Sequence, residues 1–422
     1  MDTLKKALTL GISVVLGCSL MTSFANAKNY KKTPGSNIAK NIIFMVPDGQ
    51  GLSNVTAARI FKNGPNGAPL HQETLEHIGY QRTHSANSTV TDSAAAATAW
   101  AIGLKANNGE ISCARTESGD CTGAPKTILE HAKEMGKATG LVATSQISHA
   151  TPAAFGAHAG NRYCGEEIAR QYIEETGVDV VLGGGVYYTN SGDDRCPWAT
   201  SLPGNGLGQD GIIASALSNG YVVVETESEM AALTNETKVL GLFKGFNEGK
   251  TVEYFRVDGE DITPYPADEP TLAEMTEAAL GILEKDKDGF FLMVEGSQID
   301  WEDHANNVNG MIAESLGFDA AVKVVLDWVN ADSERKNHTL VIVAADHDTG
   351  GFAVNGPWGE LSDTGELFGE SNDYAGVPEA GWTSPEHTAV DTIIYSQGPG
   401  SERLNAAVDN TDLYYVMESV LH

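Results

Sequence analysis

Basic residues are scarce in this chain. Of 422 residues, 27 are lysine or arginine and 57 are aspartate or glutamate, for a formal net charge of −30. Such a body repels nucleic acid and anionic membrane surfaces, which excludes both as expected partners. It also repels small anions, so a site for one must hold strong local positive charge from metal ions or arginine. Beyond the amino terminus no apolar run is long enough to predict a membrane span. No two cysteines stand in a C-x-x-C spacing, which argues against a zinc-thiolate site. No stretch repeats at a fixed period and no Pro/Ser-rich linker divides the chain. The 46 glycines therefore suggest many tight turns rather than low complexity.

The amino terminus reads as an export signal. Lys5 and Lys6 are followed by an apolar run over 7–21, and Ala25-Asn26-Ala27 matches a small-residue cleavage site. Residues 1–27 are thus expected to be a signal peptide and 28–422 a single domain, periplasmic or secreted. A lipoprotein site at Val15-Leu16-Gly17-Cys18 is the rival, with leucine in an unusual place. With Cys18 removed, Cys113, Cys121, Cys164 and Cys196 remain, and three pairings are possible. Short loops favour Cys113–Cys121 and Cys164–Cys196.

Apolar runs at 41–46, 138–144, 178–182, 290–294 and 339–344 have the character of buried parallel strands. Helical patterns at 93–102, 126–135, 166–175, 271–284 and 313–329 lie between them. The alternation predicts an α/β fold with a mainly parallel central sheet flanked by helices. Residues 187–268, rich in glycine and acids, and 355–384, rich in Gly, Trp, Glu and Pro, are expected to be surface insertions.

Acids and histidines follow the strands. Asp48 follows the first; His149 and Thr151 follow the second; Glu295 follows 290–294; Asp346 and His347 follow the most apolar run. In parallel sheets the carboxyl ends of strands share one edge, so these residues can converge there, and such groups are what metal ions require. Asp300 and His304 are four apart, one face of a helix, although an ordinary surface pair has the same spacing. Asp346-His347 needs compensation if buried, or is simply a strand end reaching water. Thr91-Asp92-Ser93 precedes an alanine-rich helix. Ser93 would sit in the first turn, where free N–H groups favour an anion, unless it is merely a cap. Arg162 could clamp an anion bidentately, or lie on the surface. His387 begins an apolar run, and reaches the same edge if that strand is antiparallel.

The stretches Pro47-Asp48-Gly49, Thr91-Asp92-Ser93-Ala94-Ala95, His149-Ala150-Thr151-Pro152, Glu295-Gly296-Ser297-Gln298-Ile299-Asp300, Asp303-His304-Ala305-Asn306, Asp346-His347-Asp348-Thr349-Gly350-Gly351 and His387-Thr388 occur in one order. In that order they resemble the alkaline phosphatases, most closely compact bacterial ones, from about residue 41 to the carboxyl end with a gap across 187–268. The resemblance implies phosphate monoester hydrolysis through a phosphoserine on Ser93, with two zinc ions and one magnesium ion. It places Asp300, His304 and His387 on one zinc; Asp48, Asp346 and His347 on the other, beside Ser93; and Asp48, His149, Thr151 and Glu295 on magnesium. It implies that Asp92 orients Arg162, and that the enzyme is a homodimer. His149 and Trp301 depart from the enterobacterial pattern of Asp and Lys, so the third ion is expected to be held less tightly. A phosphodiesterase of the same superfamily, or a phosphate-binding protein without chemistry, are the alternatives.

Overall fold

The computed structural model describes residues 38–113, 121–186, 196, 208–243, 255–258, 261–264, 268–355 and 379–421. The signal segment, Cys18 and most of 355–384 lie outside the described residues. All described residues belong to one compact unit, Gly35–His422.

Ten strands form the main sheet. In chain order they are β1 (Asn41–Pro47), β2 (His77–Arg82), β3 (Ala138–Gln146), β4 (Val180–Gly184), β5 (Val222–Val224), β6 (Val239–Leu242), β7 (Phe290–Gly296), β8 (Thr339–Ala344), β9 (Thr392–Gln397) and β10 (Ala407–Asp409). Their spatial order is β10-β2-β9-β8-β1-β7-β3-β4-β6-β5. β1, β7 and β8 are buried at every position, as strands covered on both faces must be. Only β9 runs against its neighbours. It pairs Ile394 with Ala344, so its beginning lies beside the carboxyl end of β8.

Helices cover both faces. Ile43 and Met45 point into one core with residues of helices Leu272–Leu283 and Val308–Asn330. Phe44 points the other way, its ring 5.0 Å from Trp100 and 5.6 Å from Phe155. Each such ring contributes about 2–3 kcal/mol by leaving water. Helix Ser93–Ile102 is buried along its whole length, which its alanines permit. Trp100 Nε1 donates to Gln81 Oε1 at 2.9 Å, and Gln81 Nε2 donates to the Ala345 carbonyl at 2.7 Å. This chain of bonds ties that helix to the end of β8.

Part of the stretch 187–268 is not a surface insertion. Helix Gly208–Ser218 and strands β5 and β6 extend the main sheet beyond β4. The surrounding glycines and acids set the composition, while β6 is a run of only four residues, too short to register as periodicity. In the second stretch, Ala353–Asn355 pairs with Glu379–Gly381 as an antiparallel ribbon.

The disulfides are Cys113–Cys121 and Cys164–Cys196, the two short-loop pairings. Each stabilises by roughly 2–4 kcal/mol, mostly by restricting the unfolded chain. Among the described residues no helix is long and apolar enough to cross a membrane.

Candidate active site

The carboxyl edge of β1, β3, β7 and β8 carries the site. Register sets Val46 beside Glu295 and Ala143 beside Glu295, so the turns after β1 and β3 open next to the end of β7. Asp48 sits in the turn after β1. Gly49 follows at φ +71°, where a Cβ would lie 2.9 Å from the Asp300 Cα. Both the left-handed backbone and the close approach require glycine. The Gly49 N–H donates to Asp346 Oδ1 at 3.0 Å.

Ser93 opens helix Ser93–Ile102. Asp92 is the N-cap, its Oδ1 accepting from the Ala95 N–H at 2.9 Å. Its Oδ2 accepts from the Gly109 N–H at 2.9 Å and from Arg162 Nη1 at 3.1 Å. Ser93 Oγ lies 3.2 Å from His347 Nε2. His149 occupies the N-cap position of helix Ala150–Gly156 without a side-chain capping bond, which places Thr151 in the first turn. Asp300 and His304 share one face of helix Gln298–His304. His387 arrives on a two-residue strand, His387–Thr388, paired with Asp348–Thr349. That pairing stacks the His387 and His347 rings with centroids 3.5 Å apart.

Three groups of ligand-type atoms result: Asp300, His304, His387; Asp48, Asp346, His347; and Asp48, His149, Glu295, each within 4.8 Å. Asp48 belongs to two of them. His304 Nε2 and His387 Nε2 face each other at 3.1 Å. Their Nδ1 atoms lie on the carbonyls of Pro385 and Thr91, at 2.5 and 2.9 Å. With Nδ1 donating, both Nε2 atoms present lone pairs to the same point, an arrangement that suits a cation. Thr349 donates to Asp300 Oδ1 at 2.6 Å and fixes that carboxylate.

Electrostatics point the same way. Both Asp48 oxygens, Glu295 Oε1, Asp346 Oδ2, Thr151 Oγ1 and His149 Nδ1 are buried without a hydrogen-bond partner. Burial, reinforced by the charges of Asp346, Asp300 and Glu295, raises Asp48 well above the usual carboxylate range. Burial pushes Glu295 up to about 7. Burial also opposes ionisation of Asp346, but His347 beside it holds its carboxyl below the ordinary value. His149 is lowered to about 3 by burial and then by Arg162, and His387 to about 4 by burial and then by His347. At His149 and His387, neutral imidazoles lie beside buried carboxylates that divalent cations would compensate. His347 is instead raised by Asp346 against its burial, and a cation bound there would take the place of its proton. Mixed nitrogen and oxygen donors fit zinc in the first two groups. The third group has, like the second, two carboxylates and one histidine, and Thr151 beside it adds an oxygen that suits a harder ion such as magnesium.

All the residues singled out from the sequence lie at this edge. Asp303 and Thr349 stand within the matched stretches of the sequence, but sequence reasoning gave neither a role, and it did not single out Tyr163. Asp303 is fully buried on the helix that carries Asp300 and His304, and Asn54 Nδ2 donates to its Oδ2 at 2.6 Å. That contact spans 249 positions, so no local pattern announces it.

Buried acids that call for divalent cations, set against a serine on a helix amino terminus, define a metal-dependent enzyme of the α/β class. The alkaline phosphatase family model matches residues 39–361, and the chain belongs to that family. It is a phosphatase, and its substrates are small phosphate monoesters. Alkaline phosphatase 3 of Bacillus subtilis is 32% identical, over 92% of this chain and 90% of that protein. The solved alkaline phosphatase of the Antarctic bacterium TAB5 superposes with a TM-score of 0.70 at 31% identity, covering 91% of this chain and 98% of that one. A TAB5 variant with a histidine replaced by aspartate, solved with magnesium in its M3 site, gives 0.69 at 30% identity, over 92% and 99%.

Proposed function

We infer that the chain hydrolyses phosphate monoesters through a covalent phosphoserine on Ser93, using two zinc ions and one magnesium ion. The observation that carries this reading is Ser93 Oγ, 3.2 Å from His347 Nε2, in the first turn of a helix and beside a group of ligand-type atoms. Asp300, His304 and His387 would hold one zinc, and Asp48, Asp346 and His347 the other. Asp48, His149, Thr151 and Glu295 would hold magnesium. The bound zinc ions would supply Lewis acidity that lowers the pKa of the serine and stabilises the departing ester oxygen.

The chain's own groups do the rest. Ser93 Oγ, deprotonated, attacks phosphorus in line, and the alcohol oxygen departs from the opposite side. Arg162, held by Asp92, takes two nonreacting oxygens in a bidentate grip, and N–H groups of the helix first turn face the charge that spreads over them. Water entering from the vacated side releases inorganic phosphate and restores Ser93. A TAB5 variant with a histidine replaced by aspartate was solved with magnesium in its M3 site. His149, the histidine of the third group here, is read as a softer donor that would hold magnesium weakly.

The reading extends to a single domain at 28–422 after a cleaved signal peptide, in the periplasm or outside the cell, as a homodimer. Two disulfides support an oxidising compartment.

Hydrolysis of p-nitrophenyl phosphate from neutral to alkaline pH tests it, with and without EDTA, followed by added zinc and magnesium. Activity should rise in alkali, vanish with chelator and return with both metals. Ser93→Ala should lose it by several orders of magnitude. A metal-restored wild type that is inert toward monoesters would overturn the assignment.

A further inference from the structure

The site opens into a cavity of about 320 Å³ whose walls include Ser93, Arg162, Tyr163, Trp301, His304 and His387. A phosphoryl group displaces only a few waters, each about 30 Å³ of liquid. The cavity therefore has room for part of the alcohol as well. Its depth is ordered: Ser93 at the floor is 2% exposed, and Tyr163 at the rim is 42% exposed. In-line attack by Ser93 sends the alcohol oxygen away from the floor, toward that rim. Two aromatic side chains line the cavity, Tyr163 at that rim and Trp301 on its wall. Trp301 follows Asp300 on helix Gln298–His304 and meets His149 edge-on, with ring centroids 5.8 Å apart and planes at 81°. Tyr163 is fixed in the chain between Arg162, which is paired with Asp92, and Cys164, which is bonded to Cys196. Its backbone N–H donates to Asn161 Oδ1 at 3.0 Å. A large ring held half in water at the mouth of a charged cavity offers an apolar face that a substrate could cover.

We propose that Trp301 and Tyr163 form a stacking rim for the alcohol half of the substrate, so that this phosphatase favours monoesters of flat, aromatic alcohols over small aliphatic ones. The proposal rests on the reading of the cavity as the monoester site. Arg162 grips the phosphoryl group whatever the alcohol is, so the rim sets preference among substrates and not the reaction itself.

Competitive inhibition of the metal-loaded, full-length enzyme tests this without the complication of leaving-group reactivity. The inhibitors are phenylphosphonate and methylphosphonate, with inorganic phosphate as reference. Phenylphosphonate should bind about fivefold more tightly than methylphosphonate to the wild type. Trp301→Ala with Tyr163→Ala should abolish that ratio, and Tyr163→Phe alone should keep it. Equal affinities in the wild type, or a ratio that survives in the double variant, would overturn the rim. So would a Tyr163→Phe enzyme that behaves like the double variant. If inorganic phosphate inhibits normally in any of these cases, the rim fails and the monoester site stands. If neither turnover nor phosphate inhibition is found in the wild type, both fall together.

Discussion

Asp92 does two things at once: it caps the helix that begins at Ser93 and it holds Arg162, Oδ2 to Nη1, at 3.1 Å. One carboxylate therefore fixes the nucleophile's helix and the guanidinium in a single frame. Asp92→Asn keeps a cap acceptor and removes the charge pairing; Asp92→Ala removes both. The alanine variant should lose about 1 kcal/mol of stability more than the asparagine variant. Both should bind inorganic phosphate about tenfold more weakly, because Arg162 is no longer oriented. Thermal unfolding and product-inhibition constants separate the two effects.

The third group of ligands contains His149 where an acid would give a harder donor. His149→Asp should raise magnesium affinity by about tenfold or more, read by isothermal titration of metal-free protein. Magnesium affinity unchanged by the substitution would show that the histidine does not set it.

Chelation should destabilise the fold as well as stop turnover. Each ion that binds the native state alone contributes about 4 kcal/mol at a thousandfold excess over its Kd. One part of the pH dependence of the metal-free protein comes from Glu295, raised from an ordinary value of 4.5 to about 7 by burial. A carboxyl raised on folding favours the folded state while protonated. That stability is present below the unfolded pKa and is lost as pH climbs through the folded one. His149 and His387, lowered on folding, act in the opposite direction. The Glu295 contribution is therefore read as a difference. The stability of EDTA-treated wild type relative to Glu295→Gln should fall as pH rises from about 4.5 to 7, and the metal-loaded pair should not show this fall.

Gly49 combines φ +71° with a backbone approach that leaves no room for a methyl group, 2.9 Å from the Asp300 Cα. Gly49→Ala should cost roughly 1–3 kcal/mol in backbone strain alone. It should also push Asp300 aside and weaken zinc retention, measured by metal content after gel filtration.

Much of this was legible in the chain because parallel strands announce themselves as short apolar runs, and the residues that follow them share an edge by topology. Helix Ser93–Ile102 begins at the residue where alanines and the Asp92 cap predict it. His387 was different. Its place depends on β9 running antiparallel, and only the resemblance to a family singled it out. The apolar run at 221–224 was visible in the sequence but not its membership of the main sheet, because its partner β6 was hidden by the composition around it. The bond from Asn54 to Asp303 joins side chains that no local spacing relates.

The reversed strand β9 also imposes an order in time. Asp300 and His304 are followed by eighty-odd residues before His387 completes their group, and His387 is placed only when the ribbon against Asp348–Thr349 and the pairing of β9 with β8 have formed. A chain that emerges amino end first therefore carries two waiting ligands through most of its folding. That metal position closes only after nearly the whole polypeptide is available, which couples full activity to completion of the chain.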